Sequence, residues 1–498
     1  MRTLRSSVFS WKKLPFLRKL IKKLPKSAEL FVVGGAVRDA IIRRKTKDID
    51  LVVRNVGLRS LERTLRSLGS VELVGRTFGV LKWTPQGWKG EQVDVALPRT
   101  DHALGTGGYK DVRTQSDPRL PLQEDLKRRD YTVNALAYNL KSGSIVDIVG
   151  GLSDIAAERL ATVGEPHERF HEDYSRMLRG LRLSAELGFQ LDARVAKITR
   201  IMMFHLQDTT QTGEWVVPRE TIAREMIRMF VADPLRAFDI CFYHNVFAIL
   251  MPEVLDMQGC PQPKQYHVEG DVLQHTRLAI ERMSDAAFKK RFGNEPSALL
   301  IFAILLHDIG KPVTVTFPAP DSDDRIRYNE HDSRGAAIAR DIATRLHLSV
   351  YPKQDERRHV DAEDLAWLVK HHLVGFRNTI EHMRPATIEK YFYHPERPSR
   401  DLLQLQYVDS AATVGQGKKA DMSGYMKIER VVRNISKTRN KIGIRPLLTG
   451  HDIMELLAIP PGPAIGTLLE ALRDAQLRGS VKSIMQARTY LKRIYRAL

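Results

Sequence analysis

The sequence predicts a small mixed α/β head, in which a small mixed sheet packs with helices, followed by a mostly α-helical neck, body and tail. Two observations support this prediction. Short apolar segments that end in turn residues dominate the first 150 positions, beginning with Glu29–Val33 (ELFVV) before Gly34-Gly35. From about Asp154 onward, apolar residues recur at three- and four-residue spacing, as in Pro218–Ala232. That spacing is typical of amphipathic helices.

The head is predicted to contain several short strands around one glycine turn. A helix is expected over Ala36–Ile42, directly after the first strand. The residues from 100 to 121 are rich in Gly, Asp, Thr and Pro and lack periodicity, so we predict a long mobile loop there. The other predicted strands are Ile49–Val53, Val80–Trp83, Gln92–Leu97, Leu136–Tyr138 and Ile145–Ile148.

Changes in composition and periodicity divide the chain into five predicted segments. Residues 259–265 (GCPQPKQ) are expected to be a linker between two of them. The segments are a basic N-terminal segment at 1–28, the head at 29–153, a helical neck at 154–258, a second all-helical domain at 266–412 and a helical tail at 440–498.

The overall charge favours a polyanionic partner. The 498 residues carry a formal net charge of +19, and cations near phosphates release condensed counterions. Cys241 and Cys260 have no metal-type or disulfide spacing. No apolar run is long enough for a transmembrane helix, so we expect no membrane partner. Residues 1–28 contain Lys and Arg but no Asp or Glu. We favour a basic arm, which could contact RNA, with a surface helix or an organellar transit peptide as the alternatives.

Two aspartates on one predicted strand suggest a metal site. In Asp48-Ile49-Asp50 the carboxylates lie at i and i+2, so they point to the same face. Their mutual repulsion favours a cation between them, and Mg²⁺ bound by carboxylates and phosphates is the usual solution. Asp94, on a later strand, is a candidate third ligand.

The glycine turn is predicted to bind phosphates. Gly34 and Gly35 join a strand to a helix, where exposed backbone N–H groups suit a triphosphate. Arg38 lies one helical turn further on and can reach the same phosphates.

The run GGAVRD followed by DIDLVV resembles the head of the class II tRNA nucleotidyltransferases and of the related bacterial poly(A) polymerases. Further motifs of this family follow in the same order and extend the resemblance over about residues 29–240. They are Phe78–Lys82 (FGVLK), Val93–Arg99 (VDVALPR), Glu124–Ala137 (EDLKRRDYTVNALA), Val146–Val163, Arg169–Phe189 and Pro218–Glu225.

The resemblance implies a nucleotide site beyond the metal carboxylates. Arg128 and Arg129 are expected to hold phosphate, while Asp130 and Asn134 bond to a ribose hydroxyl. The implied base-reading pair is Asp173 with Arg176, which we place three residues apart on one helix face. Such a pair offers the same hydrogen-bonding edge to C and A. Helix geometry turns Arg182 half-way round from Asp173, so we expect Arg179 and Arg182 to reach phosphates or neighbouring structure.

A second metal site is predicted in the helical second half. His307 and Asp308 end an apolar helix, with His275 upstream and Asp409 downstream. This order resembles the HD-type metal-dependent phosphohydrolases, an all-α family. His331, His371 and His372 resemble its accessory positions. Imidazole with carboxylate suits Ni²⁺, Mn²⁺, Co²⁺, Fe²⁺ or Mg²⁺.

The resemblance implies addition of CCA to tRNA 3′ ends from CTP and ATP, without a nucleic-acid template, and a second phosphohydrolase activity. A bacterial-type cytoplasmic enzyme is expected. Poly(A) polymerase, CC-adding and A-adding activities are the alternatives. Thr77 after Arg76 disfavours a poly(A) polymerase, and the segment at 100–121 favours full CCA addition. An HD phosphohydrolase with a regulatory nucleotide-binding head is the alternative from another class.

Overall fold

The chain was analysed as a computed structural model. It divides into two compact units, Met1–Ile249 and Leu250–Leu498. The structure describes residues 10–46, 48–74, 80–90, 92–103, 105–108, 112–293, 295–319, 326–376, 379–417, 419–443 and 445–496. Arg76, Thr77 and Phe78, used above to compare families, therefore lie outside the described residues, as does part of the predicted loop.

The first unit contains a seven-stranded mixed sheet, which confirms the predicted head architecture. Its strand order is β3-β4-β5-β2-β1-β8-β9. The pairing of β2 with β5 is parallel and the other pairings are antiparallel. The strands of the first unit are β1 Glu29–Val33, β2 Asp50–Arg54, β3 Gly69–Val74, β4 Val80–Pro85, β5 Val93–Ala96, β6 Arg99–Ala103, β7 Val112–Ser116, β8 Leu136–Asn139, β9 Ile145–Asp147, β10 Arg159–Leu160 and β11 Gln190–Leu191.

Helices follow the predicted switch in periodicity near residue 154. The helices up to the unit boundary are α1 Pro15–Lys23, α2 Gly35–Ile41, α3 Leu58–Arg66, α4 Leu122–Lys127, α5 Gly151–Ala156, α6 Pro166–Glu172, α7 Ser175–Leu187, α8 Ala193–Met202, α9 Arg219–Ala232, α10 Pro234–Tyr243 and α11 Val246–Leu250.

The basic N-terminal segment is partly folded against the head. Pro15 begins α1, a position where its missing N–H costs nothing. Leu17 and Leu20 are buried, and the Phe16 ring packs on Trp83 at 5.6 Å between centroids. The lysines of α1 are exposed. An apolar face thus holds the segment to the head while its cations face solvent.

The prediction of a long irregular loop at 100–121 is wrong for residues 100–103 and 112–116. Strands β6 and β7 pair there as an antiparallel hairpin, with Arg99 opposite Ser116 and Ala103 opposite Val112. Thr100, Asp101 and His102 are polar on both faces of their strand. No apolar alternation therefore marks the hairpin.

The second unit is almost entirely helical, as predicted. Helix α15 is buried over all nine of its residues. The elements are α12 Pro252–Leu255, α13 Val272–Arg282, α14 Ala286–Phe292, α15 Ala298–Leu306, α16 Lys311–Thr314, β12 Val315–Thr316, β13 Arg327–Tyr328, α17 His331–Arg345, α18 Ala362–His371, α19 Pro385–Phe392, α20 Ser399–Ala412, α21 Ser423–Ile442, α22 Gly450–Leu457, α23 Pro463–Leu477 and α24 Ile484–Tyr495. Within the described ranges, none of the helices is both long and apolar enough to cross a bilayer.

A glycine inside α7 admits a buried tyrosine from the head. The Tyr131 hydroxyl donates to the Arg176 carbonyl at 2.9 Å. A Cβ on Gly180 would lie 1.9 Å from that hydroxyl oxygen. Glycine normally weakens a helix interior, so Gly180 marks a close approach that any side chain would prevent.

Gly180→Ala is expected to destabilise the first unit by about 1–3 kcal/mol, because the new methyl overpacks the Tyr131 site. Gly466→Ala is the matched control, since Gly466 lies inside α23 with open space at its Cβ position. It should stabilise by up to about 1 kcal/mol through helix propensity. Thermal unfolding of both variants checks this. Equal or higher stability of Gly180→Ala would contradict the packing argument.

Candidate functional site

Three carboxylates gather at one edge of the head sheet. Asp50 begins β2 and lies opposite Asp94 in the parallel register with β5, so both side chains leave the same face. Burial, together with the charges of Asp48 and Asp94, raises the pKa of Asp50 to about 7, and the Arg129 and Lys82 cations only partly oppose this. Burial and Asp48 also raise the pKa of Asp94.

The net repulsion at this edge favours a bound cation. The Lys82 ammonium is 3.9 Å from Asp94, but it does not balance the negative charge of the three carboxylates. Among the described residues, the groups of three or more ligand-type side chains whose atoms all lie within 4.8 Å belong to the second unit. The head carboxylates are spaced more widely, and oxygen ligands with phosphate completing the shell suit Mg²⁺.

The glycine turn lies against these carboxylates. Gly34 adopts φ 75° just before α2, a conformation that side chains rarely tolerate. Its N–H donates to the Leu136 carbonyl at 3.0 Å. A Cβ at Gly34 would lie 3.0 Å from an Arg129 nitrogen and 3.7 Å from Asp50 Oδ2. The turn, Arg129 and Asp50 therefore share one small space, with Gly35 as the first residue of α2.

Arg38 is buried, and its guanidinium is occupied by protein partners. It donates to the Asn134 side-chain oxygen and to Asp39 Oδ1 at 2.7 and 2.9 Å. In this arrangement Arg38 orients Asn134. Direct contact between Arg38 and phosphate stays a prediction.

One buried carboxylate that the sequence analysis did not select orients two predicted phosphate ligands. Asp125 accepts from Arg128 at 2.8 Å and from Arg129 at 3.3 Å, and Arg128 also bonds to Asp101 at 2.7 Å. Burial opposes ionisation of Asp125, but the two guanidiniums outweigh it and lower its pKa. Asp125, Arg128 and Arg129 are spaced i, i+3 and i+4, as on one face of a helix. This spacing is the sequence signal that could have identified Asp125.

Asp130 connects the predicted ribose motif to helix α7. It accepts from Arg179 at 3.1 Å, from the Asn134 amide at 3.4 Å and from the Tyr131 N–H at 2.7 Å. Burial opposes ionisation, but Arg179 and these hydrogen bonds lower the pKa of Asp130.

Asp173 and Arg176 are neighbours, but the prediction that they share one helix is wrong. Helix α7 begins at Ser175, and Asp173 precedes it in an extended conformation. Its carboxylate accepts from the Ser175 N–H at 2.9 Å and hydroxyl at 2.6 Å. The Arg176 guanidinium is 4.0 Å from Asp173 and also bonds to Glu172. A helix-start turn therefore brings the pair together.

Arg182 lies away from this group. It is buried between α7 and α9, where it bonds to Glu186 at 2.6 Å and to Glu225. This confirms that Arg182 joins neighbouring structure, the second of the two roles expected for it.

The metal-type residues of the second unit converge. His275 on α13 bonds to Asp409 on α20 at 3.0 Å. His307 Nε2 is 3.3 Å from Asp308 and 3.7 Å from Asp409. His331 and His372 both lie 3.8 Å from Asp308. The four predicted ligands and two of the three accessory histidines thus form one cluster.

His371 does not join this cluster. Adjacent residues at the end of α18 point in different directions, and the His371 ring packs on Trp367 at 5.1 Å and on Tyr391 at 5.0 Å. Burial lowers its pKa to about 4. Its assignment as an accessory site residue is therefore corrected.

The imidazoles are oriented as metal ligands. His307, His331 and His372 each use Nδ1 to bond a backbone carbonyl, at 2.8, 2.7 and 2.6 Å. Their Nε2 atoms consequently face the carboxylates, and the buried Nε2 of His307 has no hydrogen-bond partner among the residues that the structure describes. A ligating histidine that bonds a carbonyl through its other nitrogen has this geometry, so the residues fit a divalent metal.

Comparisons with known proteins find a matching family in each unit. Residues 30–161 match the family described as the Poly A polymerase head domain, and residues 272–411 match the HD domain. A multifunctional CCA protein of Stenotrophomonas maltophilia (strain R551-3) is 31% identical over 471 residues, which span 92% of this chain and 100% of that protein. The chain belongs to the tRNA nucleotidyltransferase family of CCA-adding enzymes.

Other members of this family agree in sequence or fold. A CC-adding tRNA nucleotidyltransferase of Thermus thermophilus is 29% identical and covers 94% of this chain and 93% of its own. The Bacillus stearothermophilus CCA-adding enzyme in complex with CTP has a TM-score of 0.59 at 19% identity, covering 98% of both chains. The Thermotoga maritima CCA-adding enzyme complexed with tRNA has a TM-score of 0.55 at 15% identity, covering 96% of this chain and 98% of that chain. These two structures show that the fold is shared.

Three further residues of this tRNA nucleotidyltransferase complete the cluster of ligand-type side chains, and the sequence motifs did not single them out. Glu269 accepts from His275 Nδ1 at 2.9 Å and from His267 Nδ1 at 2.7 Å. The Lys311 ammonium lies 2.6 Å from Asp308. Burial alone would lower the pKa of His275, but Asp409 and Glu269 raise it to about 9. All three residues lie in the segments YHVEGDVLQHT and LLHDIGKP. Only the residues of these segments that match the family motif were predicted as metal ligands.

Glu269→Gln is expected to weaken metal binding by about 10- to 100-fold, because a carboxylate behind a ligating histidine orients it and raises its basicity. Titration of Mn²⁺ or Ni²⁺ into metal-free protein measures this. The matched control is Glu363→Gln, which alters an exposed pair with Arg340 in the same unit. Equal affinity in both variants would exclude the orienting role.

Proposed function

We propose that this nucleotidyltransferase adds CCA to the 3′ end of tRNA from CTP and ATP, without a nucleic-acid template. One observation carries the proposal. The under-compensated carboxylates Asp50 and Asp94 lie beside the Gly34 turn and Arg129, and the Asp130–Arg179 bond links this motif to the helix that follows Asp173. The names of the relatives support the choice of substrate.

In the proposed reaction, the RNA 3′-oxygen forms a bond to the α-phosphorus of the nucleotide. The bond from that phosphorus to the bridging oxygen of pyrophosphate breaks, and the hydroxyl proton is lost. Asp48, Asp50 and Asp94 would hold Mg²⁺, which supplies hydroxyl activation and charge neutralisation when bound. Arg129 and the Gly34 turn orient the triphosphate, and Asn134 and Asp130 offer hydrogen bonds to its ribose.

Base selection is assigned to Asp173 and Arg176. A carboxylate accepts from an exocyclic amine, and a guanidinium donates to ring nitrogen or carbonyl. Cytosine and adenine both present an amine beside an acceptor, so the pair suits both and disfavours bases that lack this edge. Ser175, which holds Asp173, and Glu172, which holds Arg176, position the pair.

The proposed domain boundaries are those predicted above, with the head at 29–153, the neck at 154–258, the HD-type domain at 266–412 and the tail at 440–498. The family matches at 30–161 and 272–411 support two of them. The named relatives are bacterial, which supports a bacterial-type cytoplasmic enzyme.

A tRNA transcript without its 3′ CCA tests the main activity. CTP alone should add two residues, CTP with ATP should add three, and ATP alone should add none. Asp50→Asn is expected to lower incorporation by at least about 10³-fold, because the metal site loses a charged ligand. Asp117→Asn on an exposed turn is the control. A stop after two residues with both nucleotides would indicate CC addition, and a long A ladder would indicate a poly(A) polymerase.

The convergent histidines favour a second, phosphohydrolase activity. Mixed imidazole and carboxylate ligands suit Ni²⁺, Mn²⁺, Co²⁺ or Fe²⁺ as well as Mg²⁺, and the unpartnered Nε2 of His307 faces the site. We assign phosphate esters as the substrate class.

Hydrolysis of a 2′,3′-cyclic nucleotide should depend on added metal and vanish in His307→Ala, because that variant removes a ligand from the cluster. CCA addition by the same variant should be unchanged. His371→Ala is the control, since His371 lies outside the cluster. Absence of hydrolysis with each of the five metals would restrict the second unit to a structural role.

A further inference from the structure

We propose that a groove between α8 and the end of α10, in the first unit, binds the RNA strand of the acceptor through one stacked base and its neighbouring phosphates. The inference rests on the proposed function for the identity of the RNA. It concerns a surface separate from the carboxylate edge and from the base-reading pair.

One face of α8 forms the floor of the groove. Ala193, Ala196, Lys197 and Arg200 follow each other at helical spacing, so they project from the same side. The two alanines leave a hollow of about 700 Å³, which falls within the size range of ligand clefts.

The turn after α10 forms the opposite wall. His244 is buried against the backbone of Ala196 on α8, so the turn after α10 packs on that helix. Asn245 has φ 62° and lines the groove beside Tyr243. The Tyr243 ring is 61% exposed, so its face is available to a partner.

The groove combines an aromatic surface with cations that lack acidic partners. The Arg200 guanidinium lies 5.6 Å from the centre of the Tyr243 ring. Within the described parts of the chain, neither Lys197 nor Arg200 forms an ion pair, and no acidic residue lines the groove. Ile201 near the end of the same helix is 55% exposed, and Phe204, just beyond that end, is 52% exposed.

This combination matches single-stranded RNA better than a protein or a free nucleotide. An exposed aromatic ring stacks on any base, and nearby cations follow the phosphate backbone. A protein interface would instead be expected to lack charge at its centre. The groove is open, and its two cations lie one helical turn apart, which suits successive phosphates of a chain.

The test measures binding of a tRNA transcript lacking its 3′ CCA by fluorescence anisotropy at several salt concentrations. Tyr243→Ala should raise the Kd at least about five-fold through lost stacking, and Tyr243→Phe should restore it. Replacing Lys197 and Arg200 by alanine should reduce the slope of log Kd against log salt by about 1.4–1.8. Arg59→Ala, an equally exposed cation on α3, is the matched control, and its smaller effect is the expected result.

Steady-state kinetics separate this inference from the proposed function. The groove variants should raise the KM for tRNA and leave the KM for CTP unchanged. A raised KM for CTP with unchanged RNA binding would overturn the inference in favour of a nucleotide site, and parental values in all variants would overturn it outright. If the parental protein binds tRNA through Tyr243 but does not add nucleotides to it, the proposed function is refuted, whereas the RNA-binding role of the groove is retained. If the parental protein does not bind RNA, both the proposed function and the RNA-binding role of the groove are refuted.

Discussion

The compensation of buried carboxylates is the constraint on which the first unit depends. A charge removed from water is costly unless it is paired and hydrogen-bonded. Asp125 and Asp130 are buried, and each has its pKa lowered by arginines despite that burial. Arg179 reaches Asp130 from α7 and Arg182 reaches Glu225 on α9. The Asp130–Arg179 pair therefore joins the head motif to α7, and the Arg182–Glu225 pair joins α7 to α9.

Asp50 is the exception, and this distinguishes a functional carboxylate from a structural one. Burial, together with the charges of Asp48 and Asp94, raises its pKa to about 7 despite Arg129 and Lys82, and perturbed groups of this kind are enriched at functional sites. In the second unit the carboxylates Asp308 and Asp409 face histidines and Lys311, which outweigh burial and lower their pKa values. The first site therefore offers hard oxygen ligands alone, whereas the second offers nitrogen and oxygen together.

Sequence motifs predicted the strand–turn–helix of the head, the mixed sheet and the six clustered residues of the second unit, because each depends on local pattern or on short ligand motifs. The predictions failed where no motif or periodicity marks the contact. Arg38 is opposite Asn134, a pairing that no helix or strand period reveals. The polar hairpin β6–β7 lacks the apolar alternation by which strands are recognised. His371 and His372 are adjacent, and the backbone geometry at the end of α18 determines which of them faces Asp308.

The geometry of Asp173 also bears on the choice of nucleotide. In the proposed function, Asp173 and Arg176 would present one edge that suits C and A alike, so this pair alone would not determine how many residues of each are added. Asp173 lies outside α7, and its neighbour Tyr174 donates its N–H to the Gly107 carbonyl at the tip of the hairpin, at 3.0 Å. The hairpin thus contacts the backbone of the base-reading segment directly. Relatives that add CC and relatives that add CCA are about equally similar to this chain. We therefore expect CC-adding and CCA-adding relatives to differ in the conformation of this segment, which the hairpin holds, rather than in the identity of the Asp173–Arg176 pair.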